Sequence, residues 1–329
     1  MKSDITPVFV LGSERNGTTW LCNELCRHPG IAGVQHLTHW GFHESKIFLH
    51  QRYWGDLQNN DALIRFCQMY GTEDHFLLTG EDASAFYDKR PADFIDFFFE
   101  TMDGMAERSG VSHWTTKLDP HFYYRPGDYK RFMDRVRSRY KNFRFIGIQR
   151  ELKSALRSSV YMEGRASQGR DRPIVKQLVL TLHTARQVTH YRGVRKMVAE
   201  EDGLMLSFEE FKGDHKASLE SITDFLGLDP LKEDDGERFP PNSSFAVAKK
   251  MKVSGLDLWI ATRILYPFFR TLPFLSRWIV RARDVQRGNF DPSFRRLVKL
   301  ECMPEQFAEE LKRDGDLALF ELLFGDRTE

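Results

Sequence analysis

Val8-Phe9-Val10-Leu11-Gly12-Ser13-Glu14-Arg15-Asn16-Gly17-Thr18-Thr19-Trp20-Leu21 is the stretch from which the fold can be read. A short apolar run ends at a glycine, turns tightly and resumes as an amphipathic pattern led by two threonines. A buried strand that hands over to a helix in this way delivers a loop of backbone N–H groups to the helix start, where anions bind. The spacing Gly12-x4-Gly17 is that of a Walker loop, but Thr18 stands where a nucleotide triphosphatase places its lysine. The cation of this loop is Arg15, inside the turn. The sequence therefore predicts a held anion that is not the γ-phosphate of ATP.

Working outward, further short apolar segments carry strand signatures at Ile31–Val34, His113–Thr116, Phe143–Ile148 and Leu204–Ser207, each beside a helix-compatible pattern. The first helix is expected to stop at His28-Pro29-Gly30. Strands alternating with helices imply a mostly parallel sheet with helices on both faces. Ligands of such sheets sit at the carboxyl ends of the strands, where Gly12, Lys117 and Arg150 all fall. The 329 residues are read as one domain. Segments 40–110 and 240–290 fit the alternation poorly and are read as insertions or lids around the site, since no Pro/Gly/Ser-rich linker sets them off.

Composition narrows the function classes. Forty-eight Lys and Arg against 47 Asp and Glu leave a net charge of +1, so no global field draws nucleic acid. The four cysteines, Cys22, Cys26, Cys67 and Cys302, follow no disulfide or metal spacing. With a strand starting near Val8 there is no room for a signal peptide, and a cytoplasmic protein is expected. The stretch 256–280 is rich in Leu, Ile, Trp and Phe, yet arginines and prolines interrupt it too often for a spanning helix. Two readings stand for it: helices packed on the core, or a peripheral membrane or protein contact.

A second cluster follows the strand at 143–148. Arg150 stands at its end, and Ser158 lies two helical turns on; in a helix over 151–162, Ser154, Arg157 and Ser158 share a face. A cation and a hydroxyl so placed suit a phosphate monoester.

With this cluster in view, the chain resembles the sulfotransferases that use 3′-phosphoadenosine 5′-phosphosulfate (PAPS). The resemblance rests on Arg15-Asn16-Gly17-Thr18-Thr19 with His28-Pro29, on Arg150 with Ser158, and on Leu206-Ser207-Phe208-Glu209-Glu210-Phe211 leading to Phe225-Leu226-Gly227-Leu228. These signatures run in order over residues 7–228, and the branch they resemble is Golgi-type or bacterial rather than cytosolic. The resemblance implies a P-loop-like three-layer sandwich with helical insertions. It implies that Arg15 and the backbone of Asn16, Gly17, Thr18 and Thr19 hold the 5′-phosphosulfate end of PAPS, with Trp20 also among the cofactor-binding residues. Arg150 and Ser158 would hold the 3′-phosphate, and adenosine 3′,5′-bisphosphate would be the product. Asn16 departs from the family's usual serine, a change the loop tolerates if it works through backbone N–H groups. The basic segment that closes over the cofactor in cytosolic members has no clear copy; Lys249, Lys250 and Lys252 are its nearest substitutes.

Sulfuryl transfer needs positioning and cations on the developing charge, and no metal is expected. Arg15 and Lys117, in Lys117-Leu118-Asp119-Pro120, are the candidate cations. For the base that deprotonates an acceptor hydroxyl, the resemblance points to the position about 21 residues beyond the loop arginine, here His36. Glu44 ranks next, then His39 and Asp119. His36, His39 and His43 have a spacing that suits a metal on a helix face, but nothing completes the ligand set. His183 and His190 are read as structural. The acceptor is an alcohol of a carbohydrate, lipid or natural product, and Trp40, Phe42, Phe48, Tyr53 and Trp54 are candidates for its pocket. Two other readings compete: a P-loop kinase, against which Thr18 and Arg150 argue, and a non-catalytic relative that binds a nucleotide or a partner.

Overall fold

The computed structural model describes residues 2–33, 94–118, 120–124, 126–166, 173–230 and 253–290. Five parallel strands form one sheet in the order β2-β3-β1-β4-β5. They are β1 (Thr6–Leu11), β2 (Ile31–Gly33), β3 (His113–Lys117), β4 (Arg144–Gln149) and β5 (Leu204–Ser207). Every residue of β1 is buried, as its unbroken apolar run requires of a strand covered on both faces. It lies between β3 and β4, pairing Val10 with Lys117 and Leu11 with Gly147. The strand order reverses on either side of β1, so its carboxyl end opens into the crevice where α/β sheets bind ligands.

Helix α1 (Thr18–Leu25) returns the chain from β1. It ends just before His28-Pro29-Gly30, where the His28 ring closes the turn. Nδ1 accepts the Gly30 N–H at 2.9 Å, and Nε2 stands 2.8 Å from the Asp229 carbonyl. The ring must therefore carry its proton on Nε2, and the turn is tied to the end of a helix 200 residues away in sequence. Helix α2 (Phe94–Arg108) leads into β3; it falls within the segment 40–110 yet buries Phe97, Phe98 and Phe99 in the main core. Beyond β3 come a 3₁₀ turn (Pro120–Tyr123) and α3 (Pro126–Arg139). Aromatic rings dominate this side of the sheet: Phe9 meets Trp114, Phe132 and Phe145 at centroid distances of 5.3–5.4 Å. Such pairs add about 0.5–1.5 kcal/mol each beyond their burial.

After β4, α4 (Leu152–Ala166) and the long α5 (Pro173–Glu200) follow. From β5 the chain enters α6 (Phe208–Gly213), capped by the Ser207 hydroxyl, and α7 (His215–Leu226), capped by Asp214. Gly227 ends α7 with φ 68°, a left-handed C-cap that only glycine takes without cost. A second layer, α8 (Gly255–Ile260), a π-turn (Ala261–Leu265), α9 (Tyr266–Thr271) and α10 (Pro273–Phe290), lies against α5. Pro267 explains the π-turn: it lacks an N–H and its ring clashes with the preceding turn, so the helix widens to pass it.

The segments read as insertions or lids supply helices in their described parts, α2 within 94–110 and α8–α10 within 253–290. Cys22 and Cys26 are buried in the core and form no disulfide. Among the described residues no helix is long and apolar enough to cross a membrane.

Candidate active site

The loop between β1 and α1 is wound by its own backbone. Arg15 sits at φ 68° and Gly17 at φ 93°, both left-handed, with Asn16 between them. Gly17 is the N-cap of α1, and no side chain caps the helix. Leu21 N–H makes the first intrahelical bond, to Gly17 O at 3.0 Å. The N–H groups of Thr18, Thr19 and Trp20 thus sit at a positive helix end with no intrahelical acceptor. All three residues are half-buried, so the helix end is reachable.

Two glycines are required here by close approach. A Cβ on Gly12 would lie 2.5 Å from Thr18 Cγ2 and 2.8 Å from the Ile148 carbonyl oxygen. One on Gly17 would fall 2.5 Å from the Phe208 ring, on a backbone conformation that L-residues disfavour. The Walker-like spacing is thus a packing requirement of this loop, whatever residue follows Gly17.

Side chains from four elements converge on the loop. Arg15 Nε donates to Ser158 Oγ at 3.0 Å, joining the turn to α4. Asn16 Oδ1 accepts the Arg150 N–H at 2.9 Å, and Asn16 Nδ2 donates to Gln187 Oε1 at 3.3 Å. Lys117, 8% exposed, reaches from the end of β3 and donates from Nζ to Thr19 Oγ1 at 2.9 Å. Arg150 lays its guanidinium 4.5 Å above the Phe208 ring. Its Nε is buried with no hydrogen-bond partner. Burial pushes the Arg150 pKa down, while Glu209 and Glu151 pull it up. A buried guanidinium nitrogen without an acceptor costs free energy that an anion at the site would recover.

Of the residues singled out in the sequence, Arg15, Asn16, Gly17, Thr18, Thr19, Lys117, Arg150 and Ser158 therefore meet around one loop. Trp20 lies beside them. Its indole stacks on His215 at 5.3 Å and 8°, meets Phe211 edge-on at 4.6 Å, and donates N–H to Glu24 Oε1 at 3.2 Å. Ser154 and Arg157 are drawn elsewhere, Ser154 to the Glu151 carboxylate at 2.8 Å and Arg157 to solvent. His36, His39, His43, Glu44, Asp119, Lys249, Lys250 and Lys252 lie outside the described residues, as do Trp40, Phe42, Phe48, Tyr53 and Trp54. Among the described residues no group of three or more His, Cys, Asp or Glu could hold a metal ion.

Sequence reasoning passed over the residues that hold the loop from behind. Helix α5 presents Arg186, 1% exposed, to the Glu14 carboxylate at 2.6 Å, and Gln187 Nε2 to the Glu14 carbonyl at 3.0 Å. His190 Nδ1 stands 3.3 Å from Ser13 Oγ, and Tyr123 Oη accepts the Gly12 N–H at 3.0 Å. His190, read in the sequence as structural, meets the loop through this contact with Ser13. No local signal in the sequence marks this bracing: residues 183–190 of α5 are buried in the structure, while the rest of the helix carries exposed polar side chains.

The sequence pattern described as the Sulfotransferase family matches residues 7–233. The chain belongs to the sulfotransferase family. The match takes in the phosphate-loop region, all five strands and helices through α7, so the site described above lies wholly within it. No curated protein matches this sulfotransferase. Solved structures similar to it include the sulfotransferase domain of the Synechococcus PCC 7002 olefin synthase, at 15% identity, 82% coverage of this chain, 96% of that one and a TM-score of 0.47. A sulfotransferase domain from the curacin biosynthetic pathway is 13% identical over 70% of this chain and 79% of that one, with a TM-score of 0.42. The sulfotransferase STF9 from Mycobacterium avium is 12% identical over 81% and 76%, with a TM-score of 0.38.

Proposed function

We propose that this sulfotransferase moves the sulfuryl group of PAPS to an acceptor hydroxyl. The observation that carries the reading is the bond between Arg15 and Ser158, which makes the anion loop and the Arg150 end of α4 parts of one cationic site. Two anion-binding features then lie side by side: uncapped N–H groups with Arg15 and Lys117, and the partnerless Arg150 Nε with Ser158. A donor carrying a 5′-phosphosulfate and a separate 3′-phosphate matches that pair, and a nucleoside triphosphate does not. PAPS would supply an activated sulfuryl group. We assign Trp20 to the nucleoside part of the donor, where its indole offers an aromatic wall next to the loop.

The chain's own residues then act by position and charge. The N–H groups of residues 18–20 and Arg15 hold the anionic bridge where negative charge grows as the bond to sulfur breaks. Lys117, held by Thr19, places a second cation at the same point. The acceptor's proton passes to a base, which we assign to His36 ahead of Glu44, His39 and Asp119, because a neutral imidazole accepts a proton near pH 7 without prior perturbation. His36→Ala is expected to lower kcat by about 10²–10⁴-fold while leaving bisphosphate affinity unchanged, as read by turnover and titration side by side. Turnover that survives the change moves the assignment to Glu44.

Thermal denaturation with added nucleotides tests the donor. Adenosine 3′,5′-bisphosphate is expected to raise the Tm of the wild-type protein, by linkage of binding to folding. Arg150→Ala should abolish most of that rise without lowering the unliganded Tm. Stabilisation by ATP with Mg²⁺ and none by the bisphosphate would overturn the reading and favour a kinase.

A further inference from the structure

The helical layer 253–281 carries two apolar faces, one packed into the core and one exposed among the described residues. Leu258 and Ala261 join Leu156, Val160 and Leu180 in a core cluster, while Phe269 and Val280 enter the main core. The opposite side shows Leu256, Trp259, Ile264 and Phe268, 66, 53, 50 and 45% exposed. Their spacing keeps one stripe turn after turn, its longest step falling across the π-turn at Ala261–Leu265. Phe274 and Trp278, one turn apart on α10, are 63 and 41% exposed. A helix covering a core ordinarily turns polar residues outward. Here six of the eight large exposed hydrophobics among the described residues lie between 256 and 278.

The charge on this layer has one sign. Arg263, Arg270 and Arg277 are exposed and recur every seven residues, and none is in an ion pair among the described residues. Asp257 is the one carboxylate between 253 and 281. It is buried, capping α8 through Ser254 and bound to Lys176 at 2.7 Å. Burial works to raise its pKa, but the bonds from Lys176 and Ser254 prevail and hold it at about 2, so it stays paired and contributes no free negative charge.

We propose that α8–α10 form a docking face for an anionic lipid bilayer, on which the helices lie without crossing. Exposed arginines stand between the large apolar side chains in the π-turn, α9 and α10, which suits helices lying in an interface, with Trp and Phe in the headgroup boundary and arginines on lipid phosphates. A protein interface instead gathers its apolar residues at the centre and its charges at the rim. The four exposed aromatic rings of this layer include Trp259 and Trp278, the side chain most at home at a membrane surface. The proposal stands apart from the donor assignment, because none of these residues touches the loop.

Flotation with vesicles of phosphatidylcholine alone, and with about 30% phosphatidylserine, tests the proposal on the full chain. The wild-type protein is expected to float with the anionic vesicles and to do so less as salt is raised. Each arginine near such a surface is worth roughly fivefold, so the triple change Arg263→Gln, Arg270→Gln, Arg277→Gln should weaken binding about 10²-fold. The triple change Trp259→Ser, Phe274→Ser, Trp278→Ser should abolish it, with the helical circular dichroism spectrum retained at the temperature of the assay. A blue shift of tryptophan emission on anionic vesicles, lost in the Ser variant, is the independent readout. No flotation with either vesicle, or flotation equal in wild type and both variants, overturns the proposal. So does a dimer of the wild-type protein that dissociates in the Ser variant while lipid binding is absent, since the face would then be covered by a second copy.

Discussion

Arg15→Ala is expected to lower kcat/KM by about 10²–10³-fold, the usual loss when one preorganised donor is removed from a site of developing charge. Arg15 combines two features that are hard to replace. Its Nε is committed to Ser158 Oγ at 3.0 Å, which aims the rest of the guanidinium, and its backbone holds a left-handed turn at φ 68°. Arg15→Lys keeps the charge but cannot both bond Ser158 and present a planar fork, so it should recover only a minor part of the activity. A non-glycine residue in that region costs on the order of 1 kcal/mol. Arg15→Gly should therefore leave stability equal to wild type or higher while activity is lost. Opposite movements of Tm and kcat/KM would show that backbone strain is tolerated here for function. Arg15→Gly with wild-type turnover would remove Arg15 from the catalytic set.

Asp103→Ala is expected to destabilise the fold by about 3–5 kcal/mol, measured by urea denaturation, without any contact with the loop. Asp103 is 6% exposed and accepts three bonds: from Trp114 Nε1 at 2.8 Å, Tyr140 Oη at 2.9 Å and Arg139 Nε at 2.8 Å. Burial pushes the Tyr140 phenol well above its ordinary pKa, with the Asp103 charge adding to the rise, so the phenol remains a donor. Losing the carboxylate orphans two buried donors and a half-buried guanidinium at once, and the unmet partners set the cost. Asp103→Asn should lose less, because its amide carbonyl still accepts from Trp114 or Tyr140. An Ala variant as stable as wild type would mean that water replaces the carboxylate. Nothing in the local sequence pointed to Asp103, which lies mid-helix in α2; its importance arises from β3 and α3 meeting it there.

Much of the site was legible because its parts are local. The β1–α1 stretch needs Gly12 and Gly17 for reasons of backbone approach, and both reasons act over a few residues. The strands at 113–117, 144–149 and 204–207 were readable from short apolar runs that end in polar residues at the ligand-facing edge. Arg150 and Ser158 were linked through helical spacing alone. The same spacing places Ser154 and Arg157 on that helix, where Ser154 turns to Glu151 and Arg157 to solvent, since a shared helix face does not say which neighbour a side chain meets. The bracing of the loop by Arg186, Gln187 and His190 was illegible, because α5 starts more than 150 residues later and its polar side chains resemble those of any surface helix.

By itself the sequence determined the strand–loop–helix unit and the absence of a phosphate-loop lysine, because each follows from residues close together in the chain. The tertiary structure alone decided that β1 lies between β3 and β4, and so brought Lys117, Arg15 and Arg150 to one crevice. It also decided which polar groups are satisfied. Arg15 finds Ser158, Asn16 ties Arg150 to Gln187, and Arg150 Nε is left buried without an acceptor. Strand order and side-chain pairing come from contacts between distant segments, whose energy depends on how whole layers pack rather than on any local pattern.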